Sequence, residues 1–180
     1  MQKIMFNERY GLQSAVFEGR KTQTRREPFS CDKKIDLIVS PFNGHLYAYE
    51  HCSGEYVHIS RYAVGEIVSI AERYSDSMQD GSISSFDKGW KNKMFVKAEL
   101  MPHHIKITNI RCERLQDISK EDCLKEGVFL SAKGYYYIGN CETKFYYAEQ
   151  SFKYIIGKLN GKKFWDTNPY VIVYEFEKID

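Results

Sequence analysis

Between Gly19 and Arg26 the chain sets four cations, Arg20, Lys21, Arg25 and Arg26, around two hydroxyls, Thr22 and Thr24. Two chemistries suit that set. Guanidinium forks and an ammonium grip a phosphate or carboxylate through charge-assisted hydrogen bonds. Alternatively, a lysine that has lost its proton activates a nearby threonine hydroxyl as a nucleophile. A solvated surface face has the same composition, and spacing alone leaves all three readings open. The nucleophile reading carries two demands. Lys21 must titrate far below its ordinary ~10.4, through burial or through neighbouring cations such as Arg20. The backbone must also bend between Lys21 and Thr24, because residues three apart in a regular strand point to opposite faces.

Two carboxylates are candidates to face those cations. Ser119 followed by Lys120-Glu121-Asp122 is a capped helix start, and Gly127 ends that helix directly after Glu126. A carboxylate in the last turn faces the negative end of the helix dipole at a cost of roughly 0.3 to 1 kcal/mol. Glu126 is therefore either a solvated glutamate at a helix end or an acid held there for a purpose. Glu72 closes the strand-like run Ile67 to Ala71. It suits a surface pair with Arg73 or the rim of a pocket opposite Lys21.

Gly19, Lys21 and Arg26, with Thr24 between them, resemble the signature segment of the ASCH family within the PUA-like superfamily: glycine, any residue, lysine, two of any, often glutamate, any, arginine. Thr24 stands where many members carry glutamate. In that respect the segment is similar to the small bacterial N4-acetylcytidine amidohydrolases. Val64-Gly65-Glu66 leading to Glu72, Met101-Pro102, Arg114 to Ile118 with Glu126-Gly127, and Asn168-Pro169 leading to Glu175-Phe176 resemble, in order, the longer ASCH proteins of phage and prophage. The resemblance implies a PUA-like β-barrel with a cleft for RNA or a modified nucleoside. It further implies Thr24 as nucleophile, Lys21 as base and Glu126 as acid or orienting group in hydrolysis of an N4-acylated cytidine. Arg20, Arg25, Arg26 and Glu72 would bind substrate, with no cofactor. A non-catalytic RNA-binding module, or an accessory protein that docks another protein through its tyrosine-rich stretch, remains the alternative.

The elements that must position these residues are short. Lys3 to Phe6 reads as a strand, with Asn7 capping a helix from 8 to 18 that Gly19 ends. Lys21 to Arg25 reads as an extended segment, polar on both faces and burying neither. His45 to Tyr49 and Tyr56 to Ile59 form hairpin arms, Tyr62 to Ala71 is a strand with a turn at Val64-Gly65-Glu66 leading into Ile67 to Ala71, and His103 to Leu115 is a central strand. Helices over 119–126 and 148–159 follow. Phe152, Ile155, Ile156 and Leu159 stripe the second of these. Ser75 to Lys93 is an aperiodic loop, Tyr135 to Tyr147 a hairpin turning at Gly139-Asn140, and Tyr170 to Glu177 an alternating closing strand.

The expectation is one α+β domain over 1–180, a mixed or antiparallel barrel with a few peripheral helices and insertions near 75–93 and 131–147. At 180 residues two cores would be cramped. No apolar run is long enough for a membrane span, and Met1 to Phe6 lacks a signal-peptide pattern, which predicts a cytoplasmic protein with no membrane partner. A net charge of +2 confines any nucleic-acid surface to a local patch. Cys31, Cys52, Cys112, Cys123 and Cys141 contain no CxxC pair, so free thiols are expected. His45, His51, Cys52 and His58 are too irregularly spaced for a metal site.

Overall fold

The protein is described from a computed structural model, over residues 1–28, 39–50, 54–78 and 80–180. In chain order the elements are β1 Gln2–Ile4, α1 Leu12–Phe17, β2 Gln23–Arg26, β3 Val39–Phe42, β4 His45–Glu50 and β5 Glu55–His58. They continue with β6 Ile67–Ile70, α2 Tyr74–Ser77, β7 His104–Arg114, α3 Lys120–Lys125 and β8 Val128–Leu130. The chain finishes with β9 Tyr136–Ile138, α4 Ala148–Asn160, α5 Lys162–Thr167 and β10 Tyr170–Lys178.

The main sheet has the order β1-β6-β7-β10-β2, with β1 and β6 parallel and the other pairs antiparallel. Its two longest strands, β7 and β10, lie at the centre. Along β10 the strand period of two sends Ile172, Tyr174 and Phe176 into one core with Ile105 and Ile107 of β7. Val171 faces a second core with Leu115, Cys123, Phe152 and Ile155. The apolar stripe of α4 thus covers one face of the sheet. On the other face, Leu46 and Ala48 of the β3-β4-β5 sheet join the first core.

The fold is α+β with a mixed sheet, and no closed barrel exists among the described residues. β1 and β2 are the two sheet edges. They approach across a seam in which Arg26 Nη2, at the end of β2, donates to Met5 O just after β1 at 2.7 Å.

Several local expectations change for identifiable reasons. α1 starts at Leu12 rather than near residue 8, because Gly11 takes a left-handed φ of 68° that no helix interior permits. Asn7 caps the preceding turn instead, its Oδ1 accepting from Tyr10 N at 3.1 Å. Within 62–71 the expected turn at Val64-Gly65-Glu66 is present, with Gly65 at φ 86°, and the strand that follows it is β6. The tyrosine-rich stretch does turn at Gly139, but β9 pairs mainly with β8, and Phe145 returns to it only as an isolated bridge at Tyr136. Residues 75–93 include most of α2 and a short turn at Lys88–Trp90 capped by Asp87; they pack through Met78, Ile83 and Trp90 on a third small cluster around Tyr74 and Met101.

Cys123 and Cys141 are free thiols, while Cys31, His51 and Cys52 lie outside the described residues. His45 and His58 pair with each other, Nδ1 to Nε2 at 2.9 Å. Among the described residues no helix is long and apolar enough to cross a membrane.

Candidate functional site

Gly19, at φ 72°, turns the chain out of α1, and Lys21 N then donates to Ala15 O. This carries Lys21 against the end of α3, where it forms an isolated bridge with Glu126, and Thr22 N donates to Lys125 O at 2.9 Å. Gly127 makes the turn out of α3 possible. Its φ of 99° is a glycine conformation, and it packs beside Ala15 and Lys21. Beyond Thr22 the chain enters β2, held by the register Gln23↔Glu175 to Arg26↔Ile172.

The expectation of a surface strand burying neither face is overturned. Lys21, Gln23, Thr24 and Arg25 are all buried, and only Arg26 is exposed. Carboxylates from distant elements make that burial tolerable. Lys21 Nζ, 3% exposed, donates to Gln23 O at 2.7 Å, Glu126 O at 3.0 Å and Glu126 Oε2 at 2.5 Å. Those three bonds use all the hydrogens of an ammonium. The other carboxylate oxygen of Glu126 accepts from Arg25 Nη1 at 3.0 Å. Arg25 also reaches Asp122 at 2.9 Å and Glu113, and Arg111 extends the network to Glu113, Asp122 and Glu175. With its amide oriented to satisfy its neighbours, Gln23 donates to Asp122 Oδ1 at 3.2 Å and accepts from Arg25 Nη1 at 2.6 Å.

The electrostatics follow from burial and charge. Burial lowers the Lys21 pKa, and repulsion from Arg26 and Arg25 adds to that, against the pull of Glu126. Burial also works against the Arg25 charge, but Glu126 and Glu113 outweigh it and raise its pKa. Burial opposes ionisation of Asp122 as well, yet Arg111 and Arg25 prevail and hold its carboxyl below the ordinary range. A depressed carboxylate contributes stability above its unfolded pKa, near 3.9, and loses it as pH falls through the folded value. Urea unfolding between pH 7 and pH 2 is expected to show that loss, with a flatter acid limb in Asp122→Asn. Identical acid limbs in the two proteins would count against the pairing.

Lys21, Thr24, Arg25, Arg26 and Glu126 line one cavity of about 440 Å³. β2 is an edge strand, so residues from both of its faces can border a cavity that flanks it. Phe6, Leu12, Phe152, Ile155 and Phe164 supply apolar walls; Asn7, Lys93 and Asn160 add polar groups. The three residues expected to be catalytic therefore meet, together with two of the four expected to bind substrate. Among the described residues no hydrogen bond joins Lys21 to Thr24, because the lysine is turned to Glu126 and Gln23.

Arg20 and Glu72 do not line this cavity. Arg20 is partly exposed, pairs with Glu18 at 2.6 Å and lies over the Phe129 ring. Glu72 was expected at the rim opposite Lys21. It is buried, with its Oε1 2.7 Å from His103 Nδ1, because β6 delivers it towards the loop before β7 rather than towards β2. Lys93 went unread in the sequence. It donates to Phe6 O and to Gln13 Oε1 at 2.8 Å, and nothing in its aperiodic surroundings marks it. Glu113 and Asp122 also went unread as partners of Arg25, although Asp122 is visible as a first-turn acid of α3.

A scan against models of protein families finds no match, and comparisons with curated proteins and with solved structures find none either. The functional reading therefore rests on the residues and their arrangement.

Proposed function

We propose that the cavity beside β2 binds a nucleoside, free and modified or at an exposed position of an RNA, in a cytoplasmic ASCH-type protein. The observation that carries this reading is the convergence of Lys21, Thr24, Arg25, Arg26 and Glu126 on one cavity walled by Phe6, Phe152 and Phe164. Aromatic walls suit a heterocyclic base, and a few convergent polar groups suit its edges and sugar. Lys21 and Glu126 are bonded to each other and shape the pocket. The Thr24 hydroxyl, Arg26 and the two asparagines are the groups offered to a ligand, while Lys93 is held by Phe6 O, Gln13 and Glu8. A PUA-like ancestry is part of the proposal, supported by the signature segment and by the approach of β1 and β2 across the Arg26–Met5 hydrogen bond.

Hydrolysis of an N4-acylated cytidine is the second reading, and the lowered pKa of Lys21 favours it. For turnover the Lys21 amine would lose its proton, leave Gln23 O and accept the Thr24 proton. Thr24 Oγ1 would then attack the acyl carbon, the C–N bond would break, and the cytidine amine would take up the proton. Water would finally release the acyl group as its acid.

Incubating the full chain with ribonucleosides, N4-acylated cytidines and short RNA separates these readings. We expect saturable nucleoside binding by calorimetry, weakened about fivefold in Thr24→Ala, the effect of one hydrogen bond. Release of free cytidine that Thr24→Ala abolishes would select the hydrolase. No binding to any member of the panel would sink both.

A further inference from the structure

Between Phe86 and Lys97 the chain carries four lysines against the single carboxylate of Asp87, and it shows three large apolar side chains to solvent. Phe86 is 96% exposed, Met94 60% and Phe95 51%. Single apolar side chains are ordinary on a surface; three so close together call for a reason. Nor does slack chain carry them. Asp87 Oδ1 accepts from Gly89 N at 2.7 Å and Asn92 Oδ1 from Met94 N at 3.0 Å, each opening a short turn. Lys3 Nζ donates to Met94 O and Val96 O at 2.8 and 2.5 Å, and Lys97 N donates to Tyr74 OH at 2.8 Å. Trp90 and Val96 fill the small cluster beneath. A backbone fixed at so many points holds Phe86, Met94 and Phe95 out in water.

The lysines divide into two kinds. Lys93 turns inward, lines the cavity beside β2 and pairs with Glu8 at 3.1 Å. Lys88, Lys91 and Lys97 stay exposed, and among the described residues none of them has a carboxylate within ion-pair distance. The acids nearest in sequence are engaged elsewhere, Asp87 with Gly89 N and Glu99 with the amino group of Met1 at 3.4 Å. Lys88 Nζ lies 5.7 Å from the centre of the Phe95 ring, so charge and ring stand side by side. That pairing suits a partner that is anionic and flat at once. Phosphates answer the lysines, and every nucleobase offers a face to a phenyl ring. An acidic peptide would answer the lysines but leave Phe86 and Phe95 without a flat partner.

We propose that the segment from Phe86 to Lys97 is a platform for a single-stranded polynucleotide, with bases stacked on Phe86 and Phe95 and backbone phosphates among Lys88, Lys91 and Lys97. Stacking reads no particular base, so the platform holds a strand without choosing its sequence. Lys93 belongs both to this segment and to the wall of the inner cavity, which lets one strand cover the platform and place a nucleoside in the cavity. That continuation rests on the nucleoside reading; the platform itself stands without it.

Fluorescence anisotropy on the full chain tests this with labelled single-stranded RNA and DNA oligonucleotides, a duplex of the same length, and, by co-sedimentation, vesicles containing anionic lipid. Single strands are expected to bind, about tenfold more weakly when Phe86→Ala and Phe95→Ala are combined. Combining Lys88→Gln, Lys91→Gln and Lys97→Gln should flatten the slope of log affinity against log salt by about 2, at roughly 0.7 for each phosphate contacted on a single strand. All five positions are exposed, and unchanged melting of both variants shows that they fold. Whichever of RNA and DNA binds tighter names the strand. No binding of single strands, a duplex bound equally well, or single-strand binding untouched by loss of both rings overturns the platform. Vesicle binding that needs Phe86, without oligonucleotide binding, overturns it in favour of an anionic lipid surface. Calorimetry with cytidine keeps the two sites apart. Cytidine binding without oligonucleotide binding removes the platform and leaves the cavity; ring-dependent oligonucleotide binding without cytidine binding does the reverse.

Discussion

Glu126→Gln is expected to destabilise the protein by about 3–5 kcal/mol, the cost of leaving a buried charge without its partner. For a domain of this size that is a fall in melting temperature on the order of 10 °C. Both partners are nearly sealed from water, with side chains 3% and 6% exposed, so solvent screens little of the loss. The substitution keeps the shape of the side chain but strips the countercharge from Lys21, and it removes one of the carboxylates of Arg25. Arg25 retains Glu113 and Asp122; Lys21 retains only carbonyl oxygens and the new amide. Its remaining relief is to lose its proton.

That gives the variant a pH signature. Burial already lowers the Lys21 pKa in the folded protein, and without Glu126 it falls further. Between the folded value and the unfolded ~10.4 the unfolded chain binds more protons than the folded one, so this group makes stability rise with pH. The deficit of Glu126→Gln against wild type should therefore narrow from pH 6 to pH 9 in urea titrations. Pairing the change with Lys21→Met should recover part of the stability, since it leaves no buried charge unpaired, although the Gln23 and Glu126 carbonyls lose a donor. A loss below about 1 kcal/mol at pH 6, where an exposed pair would fall, would show that the pair is not the closed structural contact described.

Gly139→Ala is expected to cost about 3 kcal/mol or more, measured as a drop in denaturation midpoint. Gly139 turns at φ 55°, and a Cβ built on it would lie 1.5 Å from Tyr10 O. Neither strand of the contact can yield easily. Asn140 N donates to that same carbonyl at 3.2 Å, and Gly11, next to Tyr10, is itself left-handed with no room for a Cβ beside Asn140 Oδ1 at 2.5 Å. A left-handed alanine costs of order 1–3 kcal/mol, and forcing backbones apart adds a similar amount. Since Leu12 and Ile138 both line the cavity, the proposed nucleoside binding should weaken along with stability. Stability within 1 kcal/mol of wild type would mean that the turn does not dock on the start of α1.

What the sequence determined by itself is what neighbouring residues decide among themselves. The Ser119 cap and the Gly127 stop delimit α3, the stripe of Phe152, Ile155 and Ile156 makes one side of α4 apolar, and alternation through 170–177 makes β10 a strand, whose burial on both faces only the packing decided. The residue types of Gly19 to Arg26 likewise marked where charge is concentrated, and Glu126 could be singled out because a carboxylate at a helix end is locally unfavourable. Only the tertiary structure decided where those charges went. A run of cations looks the same whether water or carboxylates surround it; that β2 is buried depends on Glu113, Asp122 and Glu126 arriving from β7 and α3, across separations local propensity does not encode. The same holds for Glu72, which strand order turned to His103 instead of Lys21, and for Gly11, which lies left-handed against Asn140 with no room for a Cβ. The barrel expected from resemblance depends in turn on whether β1 and β2 bond along their edges, and here a seam bridged by Arg26 separates them, leaving the space that the cavity occupies.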